Sequence, residues 1–205
     1  MEEKKVKGRL GNLVPFILLC IFAVIYIFPI LIMLSSSFRT NDQIFDTSLG
    51  LWPESFNLGN FTEVFDVMPF WKYFWNTMWV TGMNVLGTLV CTPMIAFSLS
   101  KIRWKGRDLY FSIIMASMMI PYTVTMIPLY RLWSKAGFVG TFWPLIIPAF
   151  FGYPFYIVIL RQFMLTIPDE LIEAGEIDGA TRWQIYCKVI LPLSKPGIAT
   201  VTIFT

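Results

Sequence analysis

The sequence contains no histidine. That removes the commonest metal ligand and the side chain that most often moves protons near neutral pH. It has only three cysteines, Cys20, Cys91 and Cys187, and no C-x-x-C pair. Neither a disulfide framework nor a zinc site is indicated, and no metal-ligating or catalytic residue is assigned. Charge is scarce as well: 14% of residues, where a soluble domain carries about a quarter. No G-x-x-x-x-G-K-[ST] loop is present, so the chain does not hold ATP in the Walker manner. G-x-S-x-G, H-E-x-x-H and paired carboxylates at membrane depth are missing too, which leaves an enzyme without a site.

What fills the sequence instead is apolar, 56% by count, and it comes in blocks. No charge falls between Arg9 and Arg39, Lys72 and Lys101, Asp108 and Arg131, or Lys135 and Arg161. Each gap exceeds the ~20 residues a helix needs to cross a bilayer core. The expected fold is all-α, a polytopic transmembrane helical bundle. Residues 1–11 form a cytoplasmic tail, charged over residues 1–9, and residues 12–205 one membrane domain. Spans are predicted over ~12–35, ~76–100, ~109–130 and ~141–161. The first is a retained anchor, because it outruns the ~7–15 apolar residues of a signal peptide and has no A-x-A site. Pro29 should kink it, and Pro121, Pro128, Pro144, Pro148 and Pro154 should interrupt the third and fourth. An apolar run opening at Pro196 is too short at Thr205 to span, so the sequence is read as cut within a fifth helix.

The basic residues set an orientation. Twelve of sixteen lie in three clusters: Lys4, Lys5, Lys7 and Arg9; Lys101, Arg103, Lys105 and Arg107; Arg161, Arg182, Lys188 and Lys195. The positive-inside rule places these segments, and the amino terminus, in the cytoplasm. The clusters are a topology signal and do not indicate nucleic-acid binding. The outer segment 36–73 holds Asp42, Asp46, Glu54, Glu63 and Asp66. Its aromatics Trp52, Phe56, Phe61, Phe65, Phe70, Trp71 and Phe74 suit a membrane interface or a partner surface.

The polar segment PDELIEAGEIDGATRWQIYCKVILP, 168–192, stands between two apolar runs. Pro168 with Asp169 and Glu170 reads as a helix start, since proline suits the first position and acids suit the positive end of the dipole. Leu171, Ile172, Ala174 and Gly175 share one face at helical spacing, leaving Glu173 and Glu176 for a basic partner. Gly179 permits the turn that ends this helix. Thr181 caps a second helix from Arg182 to Leu191, with Trp183, Tyr186, Val189 and Ile190 on one face and Pro192 as its stop. Two short helices joined at a glycine would make a rigid cytoplasmic knob; a capped interfacial hairpin is the plainer alternative. Gly175-x-x-x-Gly179 lies among charges and is discounted as a helix-dimer pattern.

Glu173-Ala174-Gly175, Gly179 and Val189-x-Leu191-Pro192 resemble the EAA loop of binding-protein-dependent ABC importer permeases. The resemblance continues in Ser35-Ser36-Ser37-Phe38-Arg39, Trp52-Pro53-Glu54, Asn60-Phe61 and Phe74-Trp75-Asn76-Thr77. It continues through Ala96-Phe97-Ser98-Leu99-Ser100-Lys101, Gly106-Arg107, Ile120-Pro121, Ile127-Pro128-Leu129-Tyr130 and Arg161-Gln162-Phe163. It is closest to the maltose-type carbohydrate permeases. The resemblance implies a type I importer permease in the cell (inner or plasma) membrane, forming the path for a sugar or oligosaccharide. It implies alternating access driven by ATP. The ATP would be bound by a pair of partner ATPase subunits, the permease having no cofactor of its own. A second permease subunit and an extracytoplasmic solute-binding protein would complete the assembly among membrane lipids. Within the cytoplasmic EAA-type coupling loop, 162–195, it carries ATPase coupling onto Glu173, Ala174, Gly175, Gly179, Leu191 and Pro192. Gly175 departs from the family's usual alanine, at a helix cost of about 1 kcal/mol. The alternative is an ion-coupled secondary carrier, against which stand four charge-free spans and no histidine. Polar residues at membrane depth include Asn76, Asn84, Thr88, Tyr122, Thr123 and Thr125. None is assigned to substrate, because most such residues bond across helices.

Overall fold

The computed structural model describes residues 2–44, 50, 52–53 and 55–205. Asp46 and Glu54 lie outside the described residues. Those described form helices and no strand. Contacts divide the chain into two compact units, 1–73 and 74–205, where the sequence reading treats 12–205 as one domain.

In the first unit, α1 spans Glu2–Ser36 and runs unbroken through Pro15 and Pro29. The residues expected as a tail therefore continue the helix, which begins at Glu2. Its apolar stretch Pro15–Ser36 has 22 residues, ~33 Å of helix against a hydrocarbon core of ~30 Å. Side chains such as Phe16, Tyr26 and Met33 are exposed along it, as lipid-facing residues are. α2 (Asn41–Ile44) and α3 (Gly59–Val67) follow. Asn60 ties this segment back to α1: its Nδ2 donates to the Ser37 carbonyl at 3.0 Å and the Arg39 carbonyl at 2.7 Å. Arg39 itself donates to the Gly50 carbonyl. The expected interfacial aromatics largely meet one another, Phe38 with Phe56 and Phe61 at 5.4 Å each and Phe65 with Phe70 at 5.0 Å.

The second unit is organised on α4 (Phe70–Lys101), whose first turn belongs to the first unit. α4 contains Pro93, buried within a continuous helix. α5 (Arg107–Ser117) and α6 (Tyr122–Lys135) occupy the third span, expected over 109–130 with interruptions at Pro121 and Pro128. They meet at 100°. The break falls at Pro121, which has no N–H to continue the ladder and restricts Ile120 before it. Pro128, by contrast, is accommodated inside α6. At ~16 and ~21 Å, neither leg alone covers a ~30 Å core.

α7 (Trp143–Ile146), a 3₁₀ turn (Ile147–Phe151) and α8 (Pro154–Leu165) form the next span, Trp143–Leu165. It reaches four residues further than expected and is interrupted at Gly152, φ +80. Then come α9 (Glu170–Ile177), α10 (Arg182–Ile185), a π turn (Tyr186–Ile190), α11 (Leu191–Leu193) and α12 (Lys195–Phe204).

The core lies where α4, α8 and these last helices meet. Ala96 and Phe97 pack with Leu160 and Met164, and with Ile172, Ile185, Tyr186, Ile190 and Val201. Two glycines allow this. A Cβ on Gly87 would lie 2.8 Å from the Phe150 ring, and one on Gly197 2.9 Å from the Phe163 ring. Such close backbone approach is how helices associate in lipid, where no hydrophobic force drives them together.

Candidate functional site

The polar segment after α8 is ordered by its own chemistry. Asp169, and not Pro168, is the residue flanking α9: its carbonyl accepts from Ile172 N at 2.9 Å and Glu173 N at 3.0 Å. Its carboxylate does not cap the helix. It accepts instead from Lys101 Nζ at 2.6 Å, while the same ammonium also donates to the Ile167 carbonyl. The Lys101 side chain is 3% exposed and Asp169 62%. The hydrogen bond from Lys101, reinforced by the charges of Lys101 and Arg103, holds the Asp169 carboxyl below its usual range despite some desolvation. Sequence reading missed this pair because nothing local links residues 68 positions apart.

A second tie lies alongside. Arg161 Nε donates to the Leu99 carbonyl at 3.2 Å, and its guanidinium sits 3.8 Å from the centre of the Phe111 ring. The end of α4, the start of α5 and the end of α8 are thereby joined. The 101–107 and 161–169 basic segments thus share one end of this unit.

α9 ends as expected at Gly179, φ +75. Ala180 N donates to the Gly175 carbonyl at 2.9 Å and Gly179 N to the Glu176 carbonyl at 3.0 Å. That is the paired bonding of a Schellman motif, in which a left-handed residue satisfies the last carbonyls. Thr181 then caps α10 as expected. Its Oγ1 accepts from Gln184 N at 3.3 Å, and Gln184 Oε1 accepts from Thr181 N at 2.8 Å. This is a full capping box, legible as T-x-x-Q.

Pro192 does not stop the second helix. The ladder widens first: Leu191 N bonds to the Tyr186 carbonyl, five residues back, in the π turn. Pro192 follows with no N–H to place, and the helix continues to Leu193 before a 74° bend to α12. The wider turn gives a proline ring room that an α turn denies it. The inward face of this second helix also differs from the expected one. Ile185, absent from the expected face, is fully buried, while Trp183 is 59% exposed.

The expected site residues divide accordingly. Glu173 and Ala174 are exposed on α9, Gly175 is half-buried, and Gly179 is exposed at the turn. Leu191 is half-buried and Pro192 exposed. Glu176 is not left for a partner: it pairs with Arg182 at 2.7 Å. Glu173 has no ion pair among the described residues and borders a polar recess with Lys101, Arg103 and Arg182. A Cβ on Gly175 would lie 3.1 Å from Ile185 Cγ1, so the glycine lets α9 sit against α10. The result is an element with two faces. Ile172, Ile185, Tyr186 and Ile190 are built into the core, while Glu173, Ala174, Ile177 (87% exposed) and Trp183 face outward.

A family profile described as "Binding-protein-dependent transport system inner membrane component" matches residues 89–205. The arabinooligosaccharides transport system permease protein AraQ of Halalkalibacterium halodurans is 32% identical over 88% of this chain and 66% of its own length. A putative ABC transporter permease protein of a Caldicellulosiruptor species is 35% identical over 92% and 69%. The galactooligosaccharides transport system permease protein GanQ of Bacillus subtilis is 29% identical over 98% and 72%. A crystal structure of a bacterial ABC transporter involved in import of the acidic polysaccharide alginate contains a similar chain. The TM-score is 0.84 at 29% identity, covering 97% of this chain and 70% of that one. The chain spans about two thirds of the length of these relatives.

Proposed function

The chain belongs to the family of binding-protein-dependent transport system inner membrane components, and on that premise we propose that it is the permease subunit of an ABC importer for an oligosaccharide. It is a transport subunit and not an enzyme; a partner ATPase hydrolyses the ATP. The observation that carries this reading is the two-faced segment 169–193. Its inner face shares a core with α4 and α8, so force on its outer face reaches helices that contact the transport path. A floppy loop would dissipate that force. Glu173, Ala174 and Gly175 on α9 meet the ATPase, Gly179 turns the chain, and Leu191 and Pro192 carry the second helix onward.

The segments 101–107 and 161–195 face the cytoplasm, as does the amino terminus. Support comes from the basic residues and from the ties that hold the first two segments at one end. The partners are a pair of ATPase subunits, a second permease subunit and an extracytoplasmic solute-binding protein. The sugar class rests on relatives that carry arabino- and galactooligosaccharides. The ion-coupled carrier has no support among these comparisons.

Purification of the native full-length protein from detergent-solubilised membranes, followed by mass spectrometry, tests the proposal. A Walker-motif ATPase and a second permease are expected with it. A chain recovered alone would overturn it.

A further inference from the structure

Two arginines meet where α5 and α8 pack together at the basic end of the second unit. Arg161 belongs to α8, four residues before its end at Leu165, or about 6 Å of helix. Its guanidinium lies over the Phe111 ring. Phe111 stands four residues along α5 from Arg107, so the two share one face of that helix, a turn apart. Arg107, Phe111 and Ile114 are the half-buried positions of α5. The chain reaches this point through a built turn. Trp104 Nε1 donates to the Ser98 carbonyl at 3.2 Å, and the Trp104 ring meets Tyr110 at 6.2 Å. Gly106, φ +98, then turns the backbone into α5.

Both guanidiniums are held the same way. Arg161 is fixed through Nε by the Leu99 carbonyl, and Arg107 Nε donates to Asp108 Oδ1 at 3.0 Å. The terminal nitrogens of both have no hydrogen-bond partner among the described residues. Those are donors with which arginine grips two oxygens of one phosphate. The nearby carboxylates do not fill that role. From Lys101 to Arg107 all four charges are positive. Asp108 is 80% exposed and already paired with Arg107, and Asp169 is bound to Lys101.

The surface beside the pair is apolar. Leu109, Tyr110 and Ile113 are each more than half exposed on α5. A free phosphate gains nothing from them, whereas the chains of a lipid do. Basic pockets between spanning helices on the cytoplasmic side suit anionic headgroups.

We propose that Arg107 and Arg161 form a site for an anionic phospholipid of the cytoplasmic leaflet, its phosphate between the two guanidiniums and its chains along Leu109, Tyr110 and Ile113; this rests on the reading of segments 101–107 and 161–195 as cytoplasmic. The phosphate bridges α5 and α8, which no ion pair joins among the described residues.

Native mass spectrometry of the complete importer tests the site, with phosphatidylglycerol or phosphatidylcholine added at equal concentration. Wild type is expected to retain phosphatidylglycerol in preference. Arg107→Gln and Arg161→Gln should each weaken that retention about tenfold, the loss of one charge-assisted contact. Lys135→Gln, at the end of α6, should leave it unchanged. Arg161 also ties α8 to α4, so Arg107→Gln, whose partner Asp108 is exposed, carries the test if Arg161→Gln fails to assemble. Equal retention of the two lipids by wild type, or undiminished phosphatidylglycerol in Arg107→Gln, would overturn the site. Displacement by an equal concentration of inorganic phosphate would overturn the lipid in favour of a soluble anion. Sidedness is read separately. An impermeant maleimide that labels Lys105→Cys from outside intact cells, above wild type, would overturn the cytoplasmic reading; lipid retention in detergent does not depend on it.

Discussion

Glycine 175 shows how much can turn on one missing carbon. By helix propensity alone, Gly175→Ala should stabilise α9 by about 1 kcal/mol. The added Cβ would press on Ile185, which is fully buried and stiff at χ1. We expect no gain in thermal stability in the wild-type background, and a gain of about 1 kcal/mol once Ile185→Ala has made room. A double-mutant cycle in detergent reads the difference. Glu173 makes the opposite case, a residue the fold does not use. Glu173→Lys should insert and fold normally yet abolish uptake and ATPase co-purification; normal uptake would remove it from the interface. Asp169 brings a pH dependence. Its carboxyl is held low by Lys101, so its contribution is complete above the ordinary aspartate value and lost as pH falls through the lowered one. Stability should therefore be flat at neutral pH and decline in acid, below about pH 4. Asp169→Asn should flatten that part of a thermal-unfolding profile.

Among the elements, those governed by local chemistry were legible and those set by tertiary contact were not. Gly179 as a turn and Thr181 as a cap follow from residues within a few positions, and both stand as read. Thr181→Ala should cost about 1 kcal/mol of stability, measurable by thermal unfolding. Pro192 misled because a proline reads as a stop unless the turn before it widens, and the π turn is not written in any short pattern. Ile185 was not legible either, because it is buried where α9 packs on α10 at Gly175, a contact between elements. The Lys101 strap belongs here as well. Asp169 is largely exposed, so the ion pair itself is worth under about 1 kcal/mol. The strap's value lies in joining the end of α4 to the turn between α8 and α9, through the Ile167 carbonyl. Lys101→Met should lower uptake while the ATPase still co-purifies, separating attachment from transmission.

For the whole molecule, composition settles the class and charge-free runs place the spans, but the shapes of the spans needed coordinates. The prolines of the third predict an interruption, but only the structure shows two legs at 100°. The fourth, rich in proline by sequence, is unwound at Gly152, which no proline marks. The Lys101–Asp169 bond also bears on how the protein is made. The two residues leave the ribosome 68 positions apart, an interval of about 3–14 s at 5–20 residues per second. Throughout it neither the Ile167 carbonyl nor Asp169 is available to the ammonium. The strap is therefore a late contact in synthesis, closed only after α4 is complete and α8 has followed it.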